Sequence, residues 1–194
     1  MKPILWIDTE TTGVTQERDQ VLQLAGMIEI NGVIVESFNY WVKPTDLGLI
    51  SKGATAVNGI TKEIASTYRD PREVVVEFRE LLEKWLPATK KKYNMKKDKY
   101  ILAGYNTNFD AGMLNHFFAL HSRKPFVQYT GFIKIDVYQR VQDLMIERDW
   151  YWDLPKHGLS YICEVNDVDL GNKAHDAMYD IHATRELYLK LKEK

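Results

Sequence analysis

The sequence predicts a single α/β domain built on a mixed sheet, spanning residues 1–194, and three observations carry that expectation. An unbroken apolar run, Ile4 to Ile7, ends in the carboxylates Asp8 and Glu10, as a strand covered on both faces does when it delivers charge to a cleft. Two β-rich runs follow, Val21 to Ile30 and Val33 to Val42, joined by Asn31-Gly32, a turn that needs positive φ at both central residues. Those three strands form an antiparallel meander. Further on, Tyr100 to Tyr105 precedes one helix-periodic stripe and Phe132 to Ile135 precedes another, the pattern of βα units.

Composition narrows the class. With 45% hydrophobic and 27% charged residues the chain is an ordinary globule, and global disorder is excluded. A net charge of −1 means that a nucleic-acid partner must be held by local patches rather than by a basic surface. No apolar run approaches the ~20 residues of a spanning helix, and the chain enters a strand directly after Met1-Lys2-Pro3 without a signal peptide, so a cytoplasmic location and no membrane partner are expected. Cys163 is the only cysteine, which excludes an internal disulfide and a multi-cysteine zinc site and leaves it a small core residue.

The remaining elements follow in order. Residues 44–61 carry glycines at 48, 53 and 59 with little periodicity and read as a long loop lining a site. Asp70-Pro71-Arg72-Glu73 has the form of a capping box, and Val74, Phe78, Leu81, Leu82 and Trp85 share one face of the helix behind it. Between Ala88 and Lys99 six lysines and one aspartate lack apolar periodicity; this is either a solvated connection or an arm that steers phosphates, with Tyr93 available for stacking. Asn106-Thr107-Asn108 leads into a helix with Phe109, Met113, Leu114, Phe117 and Phe118 buried. Another helix runs to about Ile146 with Val137, Val141, Leu144 and Met145 inward. Trp150-Tyr151-Trp152 is partial core or a base-stacking platform. A short helix near Leu159 to Val165 and a last one from about Asp176 to Leu191 complete the chain.

Acidic residues mark the chemistry. Two apart on an extended chain, Asp8 and Glu10 point the same way and can share a cation, or they simply begin a surface loop turned by Gly13. Asp110 falls at the end of a later strand, where open α/β sheets collect ligands. In AHDAMYD, Asp176 and Asp180 lie on one helical face; Asp176 is equally explained as a helix cap, which makes Asp180 the better inward ligand. His175 reaches the same site only from a loop ahead of the helix. The other histidines, 116, 121, 157 and 182, read as structural or exposed. Hard oxygen donors without thiolates select Mg²⁺ or Mn²⁺ over zinc.

Taken in order and spacing, DTETTG at 8–13, YNTNFD at 105–110 and HDAMYD at 175–180 resemble the three motifs of the DEDDh 3′–5′ exonucleases, and HDAMYDIHAT looks closest to the exonuclease I and proofreading branch. The resemblance spans nearly the whole chain. It implies a ribonuclease H-like fold with a five-stranded sheet of order 3-2-1-4-5. It also implies two Mg²⁺ (or Mn²⁺) ions on Asp8, Glu10, Asp110 and Asp180, with His175 as general base. Thr11, Thr12, Asn58, Ile60 and Asn106 would bind substrate; where many relatives have histidine before the glycine, this chain has Asn58.

The expected activity is metal-dependent 3′–5′ hydrolysis of single-stranded DNA to nucleoside 5′-monophosphates, in a polymerase, replication or repair complex. An exoribonuclease of the ribonuclease T or oligoribonuclease kind uses the same residues. A non-catalytic nucleic-acid-binding or polymerase-docking module is the rival from another class, though it has no need of a self-repelling acidic cluster.

Overall fold

A computed structural model describes residues 3–86, 99–147, 157–169 and 175–192. Five strands form its sheet: β1 (Ile4–Thr11), β2 (Val21–Ile30), β3 (Val33–Trp41), β4 (Tyr100–Gly104) and β5 (Thr130–Asp136). The described helices are α1 (Lys52–Asn58), α2 (Lys62–Ser66), α3 (Pro71–Trp85), α4 (Thr107–His121), α5 (Val137–Glu147), α6 (Leu159–Glu164) and α7 (Ala177–Lys192). None of them is long and apolar enough to cross a membrane.

The strand order is β3-β2-β1-β4-β5, with β1–β2 and β2–β3 antiparallel and β1–β4 and β4–β5 parallel. This is the sheet the sequence predicts. Asn31 and Gly32 both take positive φ, 54° and 82°, which fixes the β2–β3 register through the tight turn. Central strand β1 is covered on both faces. Leu5 and Ile7 pack with Phe78 and Leu82 of α3 and with Met113 and Leu114 of α4. Trp6 points the other way, into a layer with Val141 of α5, Cys163 of α6 and Ile181 and Leu187 of α7. Burying each such aliphatic side chain contributes about 1.5–3 kcal/mol, so the strand that carries the acids is among the most firmly held parts of the molecule.

At the start of α3 the expected cap is present: Pro71 opens the helix and the Asp70 side chain accepts from the Arg72 amide at 2.7 Å. The stretch 44–61 is not one long loop. It holds a 3₁₀ turn at Leu47–Leu49 and α1, and α2 begins right behind it. Both helices start at hydroxyl caps, Ser51 to the Ala54 amide and Thr61 to the Ile64 amide. At seven and five residues they are too short to write a 3.6-residue period into the sequence. Residues 88–98 of the lysine-rich stretch and Trp150 to Trp152 lie outside the described residues.

Candidate active site

The alternation of β1 decides how the site is built. Asp8 and Glu10 project on the α7 side of the sheet, the face of Trp6, while Thr9 is buried on the α4 side with Ile7. Helix α7 is anchored on the sheet by Ile181 and Leu187 and brings Asp180 to the same face. One carboxylate oxygen from each of Asp8, Glu10 and Asp180 lies within 4.8 Å of the other two, a spacing that one cation can bridge.

Asp110 stands outside that trio, in the first turn of α4, and is buried. Its Oδ1 accepts a hydrogen bond from the Thr9 hydroxyl at 2.8 Å, so the residue between the two acids of β1 orients the acid of α4. The turn before α4 is pinned independently. Asp136, at the end of β5, accepts from the Asn106 amide at 3.1 Å and from the Thr107 amide and hydroxyl at 2.9 Å. Gln16 also lies over this turn, donating to the Asn108 carbonyl at 3.3 Å. Its amide occupies the space that a side chain on Gly112 would fill, so a larger residue there would displace the Gln16 carboxamide from this turn.

Crowding acids this closely perturbs them all in one direction. Asp8 is half-buried in the wall of the cleft, and burial first, then the charges of Asp110, Glu10 and Asp180, push its carboxyl well above the ordinary range. Burial and the Asp180 charge raise Glu10 to about 8, against an opposing hydrogen bond from Asn58. Burial raises Asp110 to about 7 despite the Thr9 hydrogen bond. Asp180 is raised too, chiefly by burial, with His175 opposing. Carboxylates in such surroundings take up protons unless a cation holds them ionised.

His175 lies, as its spacing demands, on the loop ahead of α7. It is exposed, has φ of 69°, and donates its backbone N–H to Asp180 Oδ2 at 3.3 Å. With Asp8, Tyr105, Tyr161 and Asp180 it lines a cleft of about 670 Å³. Asp176 behaves as the cap that its position suggested, its Oδ1 accepting from the Met178 amide at 3.0 Å.

The residues expected to bind substrate are placed less uniformly. Thr12 is fully buried; its hydroxyl accepts from the Gln20 amide at 3.0 Å and its carbonyl accepts from the Ser51 amide at 3.0 Å. The Thr11 hydroxyl donates to the Gly13 carbonyl at 2.6 Å. Asn58 clamps the scaffold, donating to the Thr11 carbonyl at 3.2 Å and accepting from the Ile60 amide at 3.0 Å, and Ile60 is core. Asn106 alone of the five is exposed, in a left-handed conformation with no capping bond of its own.

Thr9, Asp136 and Gln23 were not singled out from the sequence. The period of two could have found Thr9, since a residue between two same-facing acids must face the opposite layer. Gln23 was visible as a polar residue inside the apolar run Val21 to Ile28. Asp136 was visible as the helix cap before Val137, accepting from the Tyr138 and Gln139 amides, but its bonds to the α4 turn had no local signal.

Comparison with known proteins agrees with this architecture. The sequence profile of the RNase_T exonuclease family matches residues 5–95 and 90–188. The chain belongs to the RNase_T exonuclease family. The enzyme class expected from the three motifs, an exonuclease and hence a phosphodiester hydrolase, stands with it. DNA polymerase III PolC-type of Bacillus subtilis (strain 168) is 26% identical over 186 residues, 95% of this chain but 11% of the relative. Among solved structures, an exonuclease I whose structure was described as suggesting how processivity is achieved superimposes with a TM-score of 0.81 at 22% identity, covering 100% of this chain and 41% of that one. A zinc-bound Escherichia coli exonuclease I complex with single-stranded DNA has a TM-score of 0.78 at 21% identity, with the same coverage of 100% and 41%. The chain therefore spans less than half of these relatives. At such identities the likeness establishes the fold, the ribonuclease H-like arrangement that the sequence implied.

Proposed function

We propose that this domain removes nucleotides from the 3′ ends of single-stranded DNA, releasing nucleoside 5′-monophosphates, with Asp8, Glu10, Asp110 and Asp180 holding two divalent cations and His175 accepting the proton. The observation that carries the proposal is the convergence of Asp8, Glu10 and Asp180 within 4.8 Å, next to the buried Asp110. Their all-oxygen chemistry suits Mg²⁺ or Mn²⁺, and two such charges balance those of four carboxylates. Bound there, the cations supply a water of lowered pKa and stabilise charge on the leaving 3′ oxygen.

The side chains divide the remaining work. Asp8 and Glu10, fixed on a strand rather than a loop, present their oxygens without reorganisation. Thr9 keeps the Asp110 carboxylate in one orientation. His175, free of the helix, takes the proton of the attacking water on its imidazole and releases it to solvent through the open cleft. Tyr105 and Tyr161 line the same cleft with ring surface against which a terminal base can lie. Similarity to a PolC-type polymerase along 95% of this chain supports a setting beside a polymerase, as a proofreading or repair activity in the cytoplasm.

Digestion of matched 5′-labelled single-stranded DNA, RNA and duplex with Mg²⁺ tests the reading. Ladders that shorten from the 3′ end, fastest on single-stranded DNA, are expected. Faster RNA ladders would make it an exoribonuclease. Metal-independent binding with no product would make it a binding module.

A further inference from the structure

Gln23 ties the sheet to the loop that carries His175. It is wholly buried inside the otherwise apolar run Val21 to Ile28 of β2 and stands directly opposite Glu10 in the β1–β2 register, so both side chains lie on the face covered by α7. Each end of its carboxamide is used. Nε2 donates to Asn39 Oδ1 at 3.0 Å and to Asp176 Oδ1 at 3.1 Å, while Oε1 accepts from the Ala177 amide at 3.2 Å. Asp176 in turn starts the helix, its carbonyl accepting from the Tyr179 and Asp180 amides at 2.9 and 3.0 Å. One side chain thus grips the two residues between His175 and Met178, on the strand position that faces Glu10.

We infer that Gln23 and Asp176 form a positioning pair, which sets where His175 and Asp180 stand relative to Asp8 and Glu10. Neither touches the reacting atoms. The fold itself has no need of this amide, since α7 is already held by Ile181, Leu187 and Leu191 in the core. What apolar packing does not fix is the helix register and the exit angle of the residue before it. A hydrogen-bonded amide with two directional ends fixes both. The consequence for turnover rests on the exonuclease reading above; the consequence for the loop does not.

The test is a donor–acceptor exchange. Gln23→Glu removes the donor and sets a carboxylate against Asp176. The expected result is a kcat about 10- to 100-fold lower, the scale of a misplacement of about 1 Å, with KM within about threefold of wild type. Adding Asp176→Asn supplies the donor from the opposite side and should return kcat to within about threefold. Amide hydrogen exchange of metal-free protein gives a second readout. Exchange at residues 176–180 should rise at least tenfold in Gln23→Glu and fall back in the double variant, with the β1 and β2 amides unchanged. If Gln23→Glu fails to fold, Gln23→Met, of similar volume and without charge, is read alone and should show the same loss of kcat and rise in exchange. A single variant that keeps wild-type kcat and exchange, or a double variant that is not rescued, overturns the pair. If wild type itself releases no nucleotide, the exonuclease reading fails and the exchange data alone decide the positioning claim.

Discussion

Replacing Glu10 by glutamine should stabilise the metal-free protein while destroying its activity. Burial and Asp180 carry this carboxyl from an ordinary 4.5 to about 8. At about 1.36 kcal/mol per pH unit that difference is worth at most about 5 kcal/mol. Solvent access at the cleft and sharing of the charge with Asp8 and Asp180 bring it down to about 2 kcal/mol. The sign follows from a folded value raised above the unfolded one. Below about pH 4.5 the group is protonated in both states and costs nothing; the penalty grows as pH rises and is complete above about 8. Glutamine never pays it. In EDTA the variant should therefore melt about 4–8 °C above wild type at pH 8, at about 2–4 °C per kcal/mol for a chain of this size, and the gap should shrink toward pH 4.5. Mg²⁺ or Mn²⁺ should raise the melting temperature of wild type more than that of the variant. Scanning calorimetry at three pH values reads all of this. A variant that melts at or below wild type at pH 8, or a gap that ignores pH, would mean that the carboxylates do not repel one another as described.

Other expectations concern turnover. Asp180→Asn should leave no measurable activity, whereas Asp176→Ala, which removes a cap and a positioning contact but no proposed ligand, should lose about 10- to 100-fold; single-turnover rates in Mg²⁺ on folded proteins separate the two. His175→Ala should slow the chemical step by about 10²–10⁴ and leave single-strand affinity intact, as measured by quenched flow and by fluorescence anisotropy in Ca²⁺. Thr9→Val, nearly isosteric, frees the Asp110 carboxylate from its hydrogen bond. It should reduce kcat about tenfold and raise the Mg²⁺ concentration needed for half-maximal rate, and an unchanged metal dependence would show that Asp110 needs no orienting partner.

Much of this molecule is written locally. The Asn31-Gly32 turn, the Asp70-Pro71 cap and the apolar stripes of α3, α4 and α5 are nearest-neighbour statements, and the structure repeats them almost residue for residue. The helices within 52–66 were not legible, because helices of seven and five residues are specified by a capping hydroxyl and, in the second, by Ala65 packing in a cluster with Leu22, rather than by a period. The acids and His175 were legible for a different reason: strand alternation and helical spacing fix directions before any tertiary contact forms. What escaped was everything that holds those groups still. The bonds from Thr9 to Asp110 and from Gln23 to Asp176 join residues 101 and 153 positions apart, and no local pattern announces them. Similarly, the bonds of Thr12 to Gln20 and Ser51 and those of Asn58 to Thr11 and Glu10 are not announced by the motif stretches in which these residues sit.

The central claim is that this acidic cluster directs water at the last phosphodiester of a 3′ end. Digesting single-stranded DNA in ¹⁸O-water with Mg²⁺, under single-turnover conditions, tests it most directly. Mass spectrometry of the products should find one ¹⁸O in the 5′-phosphate of the released terminal mononucleotide and none in the shortened strand, whose 3′-hydroxyl keeps its original oxygen. Label in the strand, a 3′-phosphate product, or release from the 5′ end would contradict the account.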